Sequence, residues 1–344
     1  MASISLTCVA QKGWEEAHLK FTRRIKDKWI PAFVGMTTLF FPLFALAGQQ
    51  TFQDFVIGIR TEAVEKGISP ATLDAALSNI EPDSQVIMLD RRQPEHKTSF
   101  SAYLRQTVTP SRIREGQKLL AANSRQLDRV SRTYGVPPQV IVALWGMETS
   151  YGKNTGSFCV PEALATLAWE GRRANLFRRE LIDALKILDE GHISPSAMKG
   201  SWAGAMGQTQ FMPSSFLRFA VDANGDGKRD IWNTKADVFA SAANYLAQSG
   251  WKAGKKWGRE VKIPSSFSDS GKMRPVSAWA RLGIRRVDGG PLPSSDLPAR
   301  LVHVDGRTFM VYENHGVLMH WNRSTYFATA VGLLADAIAG KGGV

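Results

Sequence analysis

Apolar residues recur at intervals of three and four over most of the chain, the period of helices that bury one face. Phe55, Ile59, Ala63 and Val64 form the first such stripe. Ser69-Pro70 reads as the cap of the next helix, which carries Leu73, Ala76 and Leu77. Asp90-Arg-Arg-Gln-Pro94 interrupts the pattern and reads as a loop. Phe100, Tyr103 and Leu104 open another helix, and Ile113 through Leu127 is amphipathic with basic residues outside. Pro137-Pro138 begins an apolar helix that Gly152 is suited to end. Ala163 to Leu188 has helical spacing again, with Arg172-Arg173 and Arg178-Arg179 on its polar side. Gly200 to Met212 is rich in glycine and small residues, so it is a loop or a closely packed turn. Pro213 starts a helix to Val221, Asp222 to Asp230 is a polar turn, and Asp237 to Gln248 is helical.

The period then changes. Residues 258–320 are rich in Gly, Pro and Ser and hold short β-like runs at 261–263, 300–304 and 308–312. Asp305-Gly306 between the last two is a hairpin signal. Ser324 to Ala339 returns to an apolar helix. The pattern predicts a mainly α (α+β) protein: helical over 48–257, a small antiparallel β subdomain at about 258–320, and a C-terminal helix over 324–340.

Ahead of this lies a different kind of segment. Arg23, Arg24, Lys26 and Lys28 precede an apolar run from Ala32 to Leu43 and a small-x-small site at Ala45-Leu-Ala47. Residues 1–47 therefore read as a signal peptide with an N-terminal extension, an uncleaved anchor being the competing reading. Of the two cysteines, Cys8 falls in that leader, so a disulfide scaffold is not expected. The net charge of +12 calls for an anionic partner: nucleic acid, anionic lipid or an acidic wall polymer.

Four stretches carry candidate chemistry. On the helix from Pro137, residues Ile141, Leu144, Trp145 and Glu148 share a stripe. A carboxylate among apolar side chains near the negative end of a helix dipole should hold its proton near neutral pH, as a general acid must. A surface glutamate on the last turn is the plain alternative. The stretch 200–215 places Ser201, Gln208, Gln210 and Phe211 among glycines, a mixture of hydrogen-bonding groups and flat ring that suits sugars; tight helix packing would use the same glycines. Asp222, Asn224, Asp226 and Gly227 match the first half of an EF-hand loop, with Asn233 where the closing glutamate belongs and Asp237 beyond it; an Asx-rich turn is the alternative. His320-Trp321-Asn322 leads into the last helix, and Asn322 could hold carbohydrate, orient Glu148 or cap the helix. No second carboxylate is visibly paired with Glu148, which argues against a two-carboxylate glycosidase. Phosphate-binding loops, zinc clusters and nucleophile elbows are absent from the sequence.

Taken together, residues 89–94, 143–149, 200–207, 210–215, 221–227 and 322–324 resemble, in order, the motifs of the lytic murein transglycosylase B family. That resemblance spans about Phe52 to Ala339. It implies a lysozyme-like core with an additional α domain and a small β subdomain. It places the single catalytic acid/base on Glu148, a positioning serine on Ser201, and cleft residues on Tyr103, Gln210, Phe211, Trp321 and Asn322. Arg172 and Arg173 fall where the family meets the peptide stem. One structural Ca²⁺ is implied at Asp222, Asn224, Asp226, the Lys228 carbonyl and Asp237. Trp321 departs from the tyrosine common before the C-terminal asparagine.

The activity implied is cleavage of the MurNAc-β-1,4-GlcNAc bond of peptidoglycan to a 1,6-anhydro product, with the substrate's acetamide assisting. Peptidoglycan strands and stems are the expected partners of a periplasmic monomer. Neither an organic cofactor nor nucleic acid is expected, and membrane attachment is left open. A calcium-ordered glycan-binding protein and a hydrolytic muramidase are the competing readings.

Overall fold

The computed structural model describes residues 51–92 and 98–340; the leader at 1–47 and Cys8 lie outside the described residues. The chain opens with α1 (Phe52–Glu65), α2 (Pro70–Leu77) and α3 (Ser84–Arg91). Each starts on a side chain that accepts an otherwise orphaned amide: Thr51, Ser69 and Asp83 respectively. Phe55, Ile59 and Ala63 are buried, but Val64 is 51% exposed, so the first stripe is narrower than its spacing suggested. The break expected at Asp90 comes later. Asp90 is inside α3 and buried, because two arginines from a distant corner neutralise it.

Six further helices follow: α4 (Phe100–Thr107), α5 (Pro110–Ala122), α6 (Ser124–Tyr134), α7 (Pro138–Thr149), α8 (Val160–Glu170) and α9 (Ala174–Asp189). Two runs that the spacing joined are divided. Asn123 separates α5 from α6, and Gly171, at φ +97°, separates α8 from α9. Periodicity cannot register such breaks, since apolar spacing resumes in phase on either side. Before and after α9, β1 (Phe158–Cys159) pairs with β2 (Lys199–Gly200). Next come α10 (Pro213–Phe219) and α11 (Lys235–Gln248).

The strand-rich part contains β3 (Gly258–Lys262), β4 (Arg274–Pro275), α12 (Val276–Arg281), β5 (Arg285–Arg286), β6 (Pro298–Val304) and β7 (Arg307–Val311). These strands form one antiparallel sheet in the order β4-β6-β7-β3-β5. The hairpin joining β6 to β7 turns at Asp305 and Gly306, both left-handed, as a tight Asp-Gly turn requires. Helix α13 (Glu313–Trp321) then occupies a stretch assigned to the β region by sequence, and α14 (Thr325–Ile338) closes the chain. The fold is thus mainly α with a small antiparallel sheet.

Three apolar cores organise these elements. One surrounds α7 with residues of α4, α6, α11, α13 and α14. A second joins α1–α3 to α8–α10. The third is small, built around Trp279 inside the sheet region. The sheet is pinned to the first core by Trp257, which lies on Gly332 of α14 and donates its indole N–H to Asp336 at 2.9 Å. A Cβ at residue 332 would overlap the indole ring. Gly332→Ala should therefore destabilise by about 1–3 kcal/mol, the cost of overpacking, in spite of alanine's better helix propensity. Thermal unfolding would read this as a Tm lower by a few degrees.

Candidate active site

Helix α7 carries its chemistry on its last turn. Pro137 and Pro138 start it without needing the amides they lack, and Ile141, Leu144, Trp145 and Glu148 fall along a buried side. Helix formation stops three residues before Gly152. Ser150, Tyr151 and Gly152 are all left-handed, at φ +50°, +64° and +82°. Such a conformation costs a non-glycine residue about 1–2 kcal/mol, so the tail needs restraint. Tyr151 packs against Gly146 and Gly116 and donates its hydroxyl to the Arg112 carbonyl at 2.6 Å. The Gly152 amide is taken by the Thr149 hydroxyl at 3.0 Å.

Glu148 is only 6% exposed. Beside it is an apolar void of about 10 Å³ lined by Ile141, Leu144, Val238, Phe239 and Ala242, room for no more than one water. Burial pushes the Glu148 pKa up to about 8, and a hydrogen bond from Trp321 pulls the other way. That bond runs from the indole Nε1–H to Oε1 at 2.7 Å. An indole nitrogen can only donate, so Oε1 is an acceptor in either protonation state and the dissociable proton belongs on Oε2.

Trp321 is itself held by rings. Its indole lies 5.4 Å from the Phe211 ring and 4.7 Å from Tyr245, which stacks 4.5 Å from Phe219. Tyr245 went unnoticed in the sequence, since an aromatic among the apolar residues of α11 gives no separate signal. On the other side Tyr103 is buried. Its hydroxyl is pushed above its ordinary range by burial first and by the Glu148 carboxylate second, with Arg112 opposing. Arg112 is a second unforeseen member: it bonds the Thr107 carbonyl and, at 3.3 Å, the Ser150 hydroxyl.

Loop 200–212 clamps this turn of α7. Gln208 accepts from Trp145 Nε1 at 2.8 Å, donates to the Trp232 carbonyl at 2.7 Å, and its own carbonyl takes the Thr149 hydroxyl. Gln210, left-handed at φ +51°, donates to the Thr155 and Gly207 carbonyls. Ser201 Oγ accepts the Ala205 amide at 3.0 Å. Gly156 and Gly200 meet backbone where any side chain would collide. The loop therefore uses its glycines for close packing. Asn322 is buried at the end of α13, where its Oδ1 accepts the Ser324 amide; Ser324 caps α14. The contact to Glu148 comes from the neighbouring indole.

Arg172 and Arg173 are placed elsewhere, in the corner between α8 and α9. Both grip Asp90, at 2.9 and 2.6 Å. In the polar turn, Asp222 accepts the amides of Gly225, Asp226 and Gly227, while Asp226 accepts that of Lys228. Asp237 is fully buried and receives the Ala223 and Asp230 amides at 2.9 and 2.8 Å. Its pKa is raised by burial first, despite those bonds, and the charges of Asp222 and Asp226 add to the rise. Among the described residues no three His, Cys, Asp or Glu side chains converge as a ligand sphere.

The family model described as the transglycosylase SLT domain matches residues 51–336. Membrane-bound lytic murein transglycosylase B of Escherichia coli (strain K12) is 33% identical over 275 residues, 75% of this chain and 74% of its own. SltB3 from Pseudomonas aeruginosa, in complex with NAG-anhNAM-pentapeptide, has a TM-score of 0.82 and 43% identity, covering 85% of this chain and 80% of that one. The Escherichia coli enzyme Slt35, in complex with calcium, has a TM-score of 0.70 and 30% identity, covering 84% and 92%.

The Glu148 environment has a consequence for stability. Unfolded, the carboxyl titrates at its ordinary value near 4.5; folded, it titrates near 8. The folded state binds the proton more tightly, so stability is lost as pH rises between those two values. Glu148→Gln should be more stable than the parent by about 3 kcal/mol at pH 7, and no more stable at pH 4. Urea unfolding at the two pH values checks this.

Proposed function

The chain belongs to the transglycosylase SLT family and is a peptidoglycan lytic transglycosylase, and from that premise we propose that Glu148 is its single acid and base. The observation carrying this reading is a carboxyl that burial keeps protonated near neutral pH, with one oxygen committed to Trp321. Its Oε2–H delivers a proton to the oxygen joining N-acetylmuramic acid to N-acetylglucosamine. The C1–O bond breaks as the leaving hydroxyl takes that proton. Among the residues lining the void beside Glu148 there is no second carboxylate, so the muramyl acetamide oxygen covers C1, the substrate-assisted route. Glu148, now ionised, removes the proton of the C6 hydroxyl. O6 attacks C1, the acetamide is released, and a 1,6-anhydro sugar forms without consuming water.

Trp321, Phe211, Tyr245 and Tyr103 supply ring surface around the reacting pair, which suits the apolar faces of sugars. The Trp321 bond also limits how far the Glu148 pKa rises, since it favours the ionised form that must act as base. Ser201, Gln210 and Asn322 support the walls through the backbone contacts described above. A binding-only protein gains nothing from a desolvated acid. Peptidoglycan strands and stems as substrate fit a periplasmic enzyme exported by a leader at 22–47. None of the described helices is long and apolar enough to cross a membrane.

The turn at 222–237 fits a calcium ion in its chemistry. Its donors are all oxygen, and a fully buried Asp237 faces the charges of Asp222 and Asp226. Asp222, Asn224, Asp226, the Lys228 carbonyl and Asp237 would hold the ion, whose charge would relieve that repulsion and order the entry to α11, the helix of Tyr245.

Glu148→Gln should lose anhydromuropeptide release from sacculi by a factor of about 10² or more while remaining folded; in the parent, kcat/KM should fall as pH rises through about 8, the value at which the acid form disappears. Product masses heavier by one water would instead identify a hydrolase. Adding Ca²⁺ after chelation should raise Tm in proportion to the logarithm of its concentration above Kd; an unchanged Tm with no metal retained on dialysis contradicts the ion site.

A further inference from the structure

A second cavity, of about 200 Å³, opens between the start of β3, the residues before α13 and the segment preceding β6. It shares no residue with the void beside Glu148. Its charged lining is Lys255, Lys256 and Arg259, with no carboxylate among the lining residues. None of the three cations is in an ion pair among the described residues. Arg259 Nε is buried and has no hydrogen-bond partner among the described residues, which is costly unless a ligand supplies one. The lining also includes apolar Val276, Pro293 and Leu297, with Ser295 and a buried Tyr312 whose hydroxyl is bonded to Arg259.

Both walls are rigidly built. Asn314, fully buried, donates to the Lys252 and Lys255 carbonyls at 3.0 and 2.8 Å and accepts the Lys252 amide, fixing the lysine-bearing turn. The Tyr312 amide bonds the Trp257 carbonyl, and Val276 and Ser277 bond the Leu297 and Ser295 carbonyls across the other side. Cations held in place beside an apolar surface match a group that is anionic at one end and apolar next to it. A peptide ending in a free carboxylate on a small apolar residue has that form. A phosphate would leave the apolar wall unused.

The geometry points to this cavity as a binding site for the terminal carboxylate of a peptide, and so for the stems of the glycan substrate. That assignment of source rests on the proposed function. The arginines expected to meet the stem, Arg172 and Arg173, already hold Asp90 between them, whereas Lys255, Lys256 and Arg259 have no carboxylate paired with them among the described residues.

The test uses the full chain carrying Glu148→Gln, titrated with N-acetyl-alanyl-alanine, its C-terminal amide and inorganic phosphate, with heat and amide chemical shifts as readouts. The acid should bind and move the signals of residues 255–259. The amide should bind at least about tenfold more weakly, as should the acid to a Lys255→Gln, Lys256→Gln variant, since a charge-assisted hydrogen bond is lost in each case. Both lysines are exposed, so the variant should keep its Tm. Equal binding of acid and amide, or of acid to parent and variant, overturns the site; binding of phosphate alone overturns the peptide reading. In the enzyme with Glu148 intact, the same lysine substitutions should lower the ratio of kcat/KM on stem-bearing to stem-free glycan through KM. If the intact enzyme cleaves neither glycan, the catalytic reading fails, and the titration still decides the cavity.

Discussion

Removing one carboxyl from water is the constraint around which this structure is arranged. Glu148 lies where burial alone would keep it protonated well beyond neutrality, and one indole N–H is the group that tempers the effect. A desolvated acid with a single donor gives up a proton more readily than burial alone would allow, and takes one back. Its surroundings explain why so many rings gather there. Trp321 must hold its nitrogen at 2.7 Å from Oε1, and Phe211 and Tyr245 hold Trp321.

The stability that a buried acid takes away has to come from elsewhere in the fold. The large core around α7 and the clamp from loop 200–212 supply the means. Gln208 joins α7 to the loop at two points and reaches the Trp232 carbonyl on the far side. Meanwhile the left-handed run at 150–152 turns the chain sharply immediately after the acid. Strain of this kind persists only when its surroundings over-determine it. Tyr151, wedged against two glycines and bonded to the Arg112 carbonyl, does that here.

Charge follows the same logic at larger scale. The excess of basic residues is not spread evenly in its effect. Arg172 and Arg173 are spent on Asp90, a carboxylate that sequence placed in a loop and the structure buries in α3. Lys255, Lys256 and Arg259 keep their charge facing a cavity. Neighbouring cations therefore mean different things depending on which acidic residue the fold brings alongside.

Much of the fold was legible in the sequence: most of the helices, the cap at Ser69, the Asp305-Gly306 hairpin, and the apolar stripe that contains Glu148. Each is a local rule, set by backbone geometry and by the period at which side chains return to one face. The burial of Glu148 was legible for that reason, since its apolar neighbours are on its own helix. Only tertiary structure decided what touches it. Trp321 is 173 residues away along the chain, and Tyr245 and Arg112 carried no local mark. The breaks at Asn123 and Gly171, and helix α13, were also settled by packing, because apolar spacing resumes across a corner and a short helix against a core needs no strong pattern of its own. Spacing can say which residues share a face. Which faces meet, and what water they exclude, is determined by the folded chain.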